Sequence, residues 1–173
     1  ARRAWPTATA RVSAGAPRGI TPAPRRPHVP TPPRLFANGV GGCTTDGREY
    51  VITLAGDADT PRPWSNVLAN PEFGSLVTHA GPAFTWSENS RENRPTPFAN
   101  DPVSDPTAEA LFVRDDETGE AWSPTIGPLR GTASETLLVR HSAGLTRFSR
   151  IAHGLRHELD VGVDVSDPVK LSR

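Results

Sequence analysis

Apolar residues alternate with polar ones over short stretches of this chain, and this period of two restricts the possible folds most. In residues 155–165 the alternate positions on one side are apolar, namely Leu159, Val161, Val163 and Val165. Such alternation is typical of a half-buried antiparallel strand. No window longer than about ten residues shows a 3.6-residue period, so any helix is expected to be short.

Further short strands are predicted between turn signals. They cover residues 48–54, 64–68, 76–79, 83–86, 110–114, 121–123, 135–141 and 145–152. The pair Asp46-Gly47, the tripeptide at 142–144 and the acidic run at 115–119 are typical of hairpin connections. The glycine-rich residues 38–42 precede a strand and are therefore predicted to form a tight turn, not a phosphate cradle. This spacing predicts an all-β fold, an antiparallel β-sandwich.

The net charge of zero is the sum of two unlike segments. Residues 1–34 hold seven arginines, no acid and eight of the 19 prolines, whereas the remainder holds 12 basic and 19 acidic residues. The first segment cannot bury enough apolar surface to fold, so we interpret it as a disordered basic arm. It lacks interleaved aromatic residues, and no nucleic-acid partner is predicted. The β-sandwich domain is expected to span residues 35–173.

Composition excludes several classes of protein. No stretch approaches the roughly 18 apolar residues of a membrane helix, and the N-terminus lacks the apolar segment of a secretory signal. The single cysteine is compatible with a reducing compartment, and we predict a cytoplasmic location. The chain contains no Met, and residues 167–173 resemble the start of a strand. We therefore interpret the chain as part of a longer polypeptide, with the sandwich truncated at its C-terminus.

Sequence motifs of catalysis and of metal binding are missing. The chain has no P-loop, no dinucleotide-binding glycine motif after a strand and no G-x-S-x-G elbow. His153 and His157 have the spacing of helical metal ligands but lie in a strand pattern. Asp57 and Asp59 lie in a turn, and their spacing does not fit a calcium loop. No catalytic residue, metal site or cofactor is predicted.

One connection has an unusual composition. Residues 85–106 contain almost no aliphatic side chains and are too long for an ordinary hairpin loop. Flat aromatic rings suit the apolar face of a sugar, and amides, carboxylates and guanidinium groups suit its hydroxyls. The candidate binding residues are Trp86, Asn89, Arg91, Glu92, Asn93, Arg94, Asn100 and Asp101. The alternative is that these polar groups only hold the long loop together, and composition favours neither interpretation.

Several segments together carry a resemblance to a known family. They are N-G-V-G-G-C-T-T-D-G-R-E-Y-V-I at 38–52, T-P-R-P-W-S-N-V-L-A-N-P-E-F-G at 60–74, the whole of 85–106, E-A-L-F-V-R-D-D-E-T-G at 109–119, W-S-P-T at 122–125, R-H-S-A-G-L-T at 140–146 and D-P-V-K at 167–170. In this order they resemble the N-terminal supersandwich domain of glycoside hydrolase family 94, formerly glycosyltransferase family 36. The similarity is greatest to its cyclic β-1,2-glucan synthase and β-1,2-oligoglucan phosphorylase branch.

The resemblance implies a galactose-mutarotase-like β-sandwich that precedes an (α/α)6 barrel. Family members cleave β-glucosidic bonds with inversion, using inorganic phosphate as the attacking group and an aspartic acid of the barrel as the general acid. The expected partners are thus a β-glucan oligosaccharide, inorganic phosphate in the parent enzyme, and the barrel in cis or in trans. The resemblance also makes residues 85–106 the candidate contributor to the substrate cleft. Two alternatives stay open: a free-standing carbohydrate-binding module and an inactive truncated relic.

Overall fold

The structure is a computed structural model that describes residues 29–132 and 135–173. Every regular element assigned within these residues is a strand. In chain order they are β1 Arg34–Leu35, β2 Gly41–Thr44, β3 Glu49–Ala55, β4 Ser65–Ala69, β5 Phe73–Thr78, β6 Gly81–Ser87, β7 Val113–Arg114, β8 Ala121–Trp122, β9 Thr136–Ser142, β10 Leu145–Ala152, β11 Leu155–Val163 and β12 Lys170–Ser172.

Seven strands form the larger sheet in the order β1-β2-β3-β9-β10-β11-β12, and all neighbours are antiparallel. Tight turns join β2 to β3 and β9 to β10. Gly47 and Gly144 occupy these turns with φ of 70° and 74°, a left-handed conformation that glycine adopts without steric cost. β3 pairs with β9, although β4 to β8 separate them in the chain. That crossover places the smaller strands over one face of the larger sheet.

The core lies between the larger sheet and a second sheet of order β4-β5-β6. A row of buried side chains crosses four strands of the larger sheet in register: Ile52, Val139, Phe148 and Leu159. Leu68 and Val77 of the smaller sheet pack in the same cluster. Because side chains alternate between the faces of a strand, every second residue reaches this core. β7 and β8 form a separate two-stranded hairpin.

Two asparagines, one in β4 and one in the turn between β4 and β5, are hydrogen-bonded to the ends of strands and to a turn of the larger sheet. Asn66 Nδ2 donates to the Ser142 carbonyl at 2.7 Å. Asn70 Nδ2 donates to the carbonyls of Asp164 and Asp167 at 2.9 and 2.8 Å. Each such bond contributes only about 1 kcal/mol net, but its geometry is directional. These contacts therefore set the position of one sheet on the other more than they add stability.

The predicted basic arm falls mainly in residues 1–28, which lie outside the described residues. Val29 is buried against Val51 and Leu138, on the face of the larger sheet that points away from the core. Arg34 already belongs to β1 and pairs with Thr44. Both ends of the segment 29–34 therefore contact the sheet.

The predicted all-β antiparallel sandwich is confirmed, and the nine predicted strands correspond to β3 to β11. The turn predicted over residues 38–42 ends early, because Asn38 Oδ1 accepts the Gly41 N–H at 2.8 Å. Gly41 and Gly42 then enter β2. A Cβ at Gly42 would lie 2.8 Å from the Leu35 carbonyl oxygen, so glycine permits β1 to approach.

The alternating segment at 155–165 also ends earlier than predicted. β11 stops at Val163, and the Asp164 carboxylate accepts the N–H groups of Ser166 and Asp167, both at 2.9 Å. This turn removes Val165 from the sheet and leaves it exposed.

Candidate functional site

The connection between β6 and β7, residues 88–112, is called here the β6–β7 loop. Its first turn is closed by a side chain: Asn89 Oδ1 accepts the N–H groups of Arg91 and Glu92 at 2.8 and 3.0 Å. The Asn93 N–H donates to the Asn89 carbonyl at 3.0 Å. Asparagine favours such turns because its amide oxygen replaces a backbone acceptor. The start of the loop is therefore an ordered turn.

Aromatic rings lie next to this turn. Phe98 of the β6–β7 loop stacks on Phe84 of β6, with centroids 4.3 Å apart, and Trp86 lies 5.4 Å from Phe84. The Arg94 guanidinium lies over both phenylalanine rings, 5.7 and 5.6 Å from their centroids. Gly74 leaves room for the indole, since a Cβ there would lie 2.2 Å from Trp86 Cζ2. We call these three rings with Arg94 the aromatic platform.

The predicted binding residues divide by what they do in the loop. Asn89, Arg94 and Asp101 hold it together: Arg94 Nε donates to the Ser90 carbonyl at 2.6 Å, and Asp101 accepts the Ser104 hydroxyl at 2.6 Å. The bonds from the Ser104 hydroxyl and from the backbone N–H groups that follow hold the pKa of Asp101 below its ordinary value. For these residues the loop-holding interpretation is supported.

The other predicted residues project from the loop. Arg91 has 86% of its side chain exposed, and among the residues that the structure describes it forms an ion pair only with the adjacent Glu92, at 3.2 Å. Within the described residues, the side-chain amides of Asn93 and Asn100 make no hydrogen bond and are exposed. These groups are free to meet a ligand without breaking the loop.

A groove runs along the far end of the loop. We call it the polar groove and define it by Asp59, Thr60, Arg62, Asp105, Thr107 and Arg130, with pyrrolidine rings of neighbouring prolines in its walls. Its volume is about 580 Å³. It adjoins a cavity of about 250 Å³ that is lined by Phe98, Asn100 and Asp101. The two cavities share Arg62, Pro102 and Asp105 and thereby reach the aromatic platform at Phe98.

A buried histidine anchors one wall of the polar groove. The nitrogen Nε2 of His79 lies 2.6 Å from Asp59 Oδ1, and Arg130 contacts the other carboxylate oxygen of Asp59. The Trp64 N–H points to His79 Nδ1 at 3.4 Å, which leaves Nε2 as the nitrogen that donates to Asp59. Partial burial opposes ionisation of Asp59, but the bonds from Arg130 and His79 outweigh it and lower its pKa.

The charges around the polar groove balance. Asp59 and Asp105 supply acceptors, while Arg62 and Arg130 supply donors. Asp105 Oδ2 accepts the Thr78 hydroxyl at 2.7 Å, which fixes that carboxylate at the groove. A neutral ligand that both donates and accepts hydrogen bonds suits such a lining.

Residues 29–132 and 135–173 contain no cluster of three or more His, Cys, Asp or Glu side chains that could hold a metal ion. None of their segments forms a helix of the length and apolarity needed to cross a bilayer.

The sequence placed all eight candidates in one site, but the structure separates them. Asn100 and Asp101 line the cavity next to the polar groove, whereas the candidates at 86–94 surround the aromatic platform or project beside it. Sequence reasoning missed Asp59, His79 and Arg130. They are up to 71 residues apart, and no local pattern connects them.

Comparison with known proteins decides the family. Residues 48–173 match the model described as the glycosyl hydrolase 94 supersandwich domain. The chain belongs to this family. The resemblance seen in the sequence is therefore confirmed, and the supersandwich assignment agrees with the paired antiparallel sheets.

Curated relatives of this supersandwich domain are much longer proteins. The chain is 41% identical over 138 residues to a cyclic beta-(1,2)-glucan synthase, NdvB, of Rhizobium meliloti (strain 1021). The aligned residues make up 80% of the chain and 5% of the relative. It is 32% identical over 104 residues to an N,N'-diacetylchitobiose phosphorylase of Vibrio furnissii, and this alignment covers 60% of the chain and 13% of the relative. A solabiose phosphorylase of Paenibacillus borealis is 29% identical over 135 residues, and this alignment covers 77% of the chain and 17% of the relative. The chain thus spans 5% to 17% of these relatives.

Proposed function

We propose that the chain is the non-catalytic N-terminal supersandwich domain of an enzyme that acts on β-glucans, either a glycoside phosphorylase or a cyclic β-1,2-glucan synthase. In this proposal the β6–β7 loop binds a β-glucan oligosaccharide for the parent enzyme. The relative named as a cyclic beta-(1,2)-glucan synthase supports the substrate class, and the relatives named as phosphorylases support the type of reaction. The cytoplasmic location stays a prediction.

The observation that carries the saccharide contact is the aromatic platform beside unpartnered polar groups. Trp86 and Phe98 are partly exposed; Phe84 packs against both rings, and Arg94 lies over Phe98. An aromatic face packs against the C–H face of a pyranose, while amides and guanidinium groups meet its hydroxyls. Arg91 supplies donors in a planar fork that matches a pair of adjacent hydroxyls.

Catalysis itself belongs to the barrel in this proposal. The resemblance implies that the general acid lies there and that inorganic phosphate attacks the anomeric carbon, so no residue of the chain takes a catalytic role. The domain contributes by holding part of the saccharide. Holding a bound substrate in the correct orientation lowers the entropic part of the activation barrier of the reaction, whose chemical steps are carried out by groups of the barrel.

The test is a titration of the ¹⁵N-labelled chain with a β-1,2-linked gluco-oligosaccharide at millimolar concentration, followed by NMR. We expect shifts of the Trp86 indole N–H and of the Asn93 and Asn100 side-chain amides. Arg91→Ala should weaken binding by about tenfold, the equivalent of about 1.4 kcal/mol. The matched control is Arg156→Ala, which removes another exposed arginine from the outer face of β11. Absence of shifts around the β6–β7 loop, or equal weakening by both variants, would show the proposal to be wrong.

The same preparation tests the two alternatives. A cooperative urea transition contradicts the hypothesis of an inactive relic. A free-standing module should bind the saccharide with unchanged affinity after a separately produced family 94 barrel is added, whereas a domain of a larger enzyme should bind more tightly. The comparison of the two affinities distinguishes them.

A further inference from the structure

A lysine of the last strand reaches the β6–β7 loop from the other sheet. Lys170 lies in β12, an edge strand of three residues that pairs with β11. Its side chain is only 12% exposed and contacts the Glu109 carboxylate of the loop. Its Nζ also lies 3.4 Å from the hydroxyl of Thr85 in β6. One side chain thus joins the larger sheet, the smaller sheet and the loop.

Glu109 connects Lys170 to β6 and to the middle of the loop through further hydrogen bonds. Its Oε1 accepts the Thr85 hydroxyl at 2.5 Å and the Thr96 hydroxyl at 3.2 Å, while Oε2 faces Lys170. The Thr96 hydroxyl oxygen in turn accepts the backbone N–H of Thr85 at 2.7 Å. Thr96 lies between the first turn of the loop and Phe98. The network therefore fixes the middle of the loop on β6.

The two charges depend on each other because both are largely buried. Burial lowers the pKa of Lys170 to about 8, and the Glu109 carboxylate is the group that offsets the cost of placing an ammonium there. Removing one partner of such a pair leaves an uncompensated charge in a poorly hydrated place. Glu109 without Lys170 would become better hydrated if the loop moved away from β6.

We propose that Lys170 is a positioning residue for the β6–β7 loop: docking of β12 on β11 places its ammonium on Glu109 and so holds Thr96, and the aromatic platform beside it, in place. The binding competence of the loop then depends on a strand that lies 61 residues further along the chain than Glu109. This inference deepens the proposed function, and it rests on that function for its saccharide readout alone.

Hydrogen exchange of the full chain tests the inference without any saccharide. In Lys170→Met the Thr85 and Asn93 amides should exchange at least about tenfold faster, while core amides such as Phe148 keep their protection. The control Leu171→Ala changes an exposed neighbour in β12 and should leave the loop amides unchanged. Unchanged protection of Thr85 in a folded Lys170→Met chain overturns the inference.

A second variant separates positioning from general stabilisation. Glu109→Gln combined with Lys170→Met removes both charges, but the amide oxygen introduced at position 109 still accepts the two threonine hydroxyls. We expect this pair of substitutions to recover the Thr85 protection to within about threefold of the parent chain. Protection as low as in the single variant overturns the inference.

A charge-neutral variant tests the contact between the loop and β6 by itself, because Thr96→Val removes the acceptor of the Thr85 N–H and leaves Lys170 and Glu109 in place. Thr96→Val should lower the exchange protection of the Thr85 amide and leave the amides of β11 and β12 protected. An equal loss of protection at both places contradicts the proposed order of contacts. A saccharide titration of Thr96→Val is then read separately. If the parent chain binds no saccharide, the proposed function fails, whereas the exchange results of Lys170→Met and of its combination with Glu109→Gln still decide the role of Lys170.

Discussion

Two arginines on one strand should differ sharply in their contribution to stability. Arg147 and Arg150 both lie in β10, but they point to opposite faces of the larger sheet because they are three residues apart. Arg150 is 3% exposed, whereas Arg147 is 41% exposed. Each pairs with one carboxylate, Glu135 for Arg150 and Asp160 for Arg147. The two arginines therefore have the strand, the residue type and a carboxylate partner in common, and they differ in burial and in the further groups that they hold.

The magnitude follows from what each guanidinium holds. Arg150 donates to Glu135 from Nε at 2.9 Å and, from Nη1, to the carbonyls of Ser123 and Thr125 at 2.5 and 3.1 Å. Arg150→Met leaves a largely buried carboxylate and two carbonyls without these donors, and loss of a buried ionic partner costs about 3–5 kcal/mol. Arg147→Met breaks a bidentate pair with Asp160 at the surface, which costs about 0–1 kcal/mol.

The assay is urea unfolding of the three chains, monitored by tryptophan fluorescence and by circular dichroism. With an m-value of about 2 kcal/mol per molar urea, Arg150→Met should lower the midpoint by about 1.5–2.5 M, and Arg147→Met by less than about 0.5 M. Equal m-values would show that the same surface unfolds. An Arg150→Met substitution no more destabilising than Arg147→Met would refute the role given to burial. A Glu135→Gln, Arg150→Met chain should regain part of the loss, because the unpaired charge is gone.

Further predictions concern the smaller sheet and the core. Gly74→Ala forces the Trp86 indole away from β5, which should cost about 1–3 kcal/mol and shift the tryptophan emission; an unchanged urea midpoint and spectrum would contradict the close packing. Burial lowers the pKa of His141 to about 4, against weaker support from the Trp64 carbonyl. The neutral His141 should thus stabilise the fold fully above about pH 6.5, and up to about 3 kcal/mol should be lost as pH falls to about 4. In His141→Gln the slope of unfolding free energy over this pH range should flatten, and an identical slope would disprove the assignment.

Much of the fold could be predicted because its signals are local. The turn at Asp46-Gly47 and the glycine at Gly144 need only a few residues to define a hairpin, and alternation identifies the strands beside them. β2 was missed because its two glycines carry no side-chain pattern. They form a strand through the tertiary approach of β1 to Gly42.

The candidate loop could be found from its composition, but its internal roles could not. Arg91 and Arg94 have the same chemistry and lie three residues apart in the sequence. The structure places Arg94 over the rings of Phe84 and Phe98 and leaves Arg91 in solvent. Composition cannot distinguish a guanidinium that holds the loop from one that is free for a ligand.

The sequence by itself determined most of the strand pattern and the family, and it identified the loop that we propose to bind a saccharide, since these depend on neighbouring residues or on ordered motifs. Only the tertiary structure decided which side chains meet. His79 and Asp59 come together in one wall of the polar groove, and Lys170 reaches Glu109 from the opposite sheet. These contacts arise because β3 pairs with β9 and the strands between them fold over the larger sheet. Periodicity records which face a residue occupies, whereas the partner it meets there depends on how the two sheets are stacked.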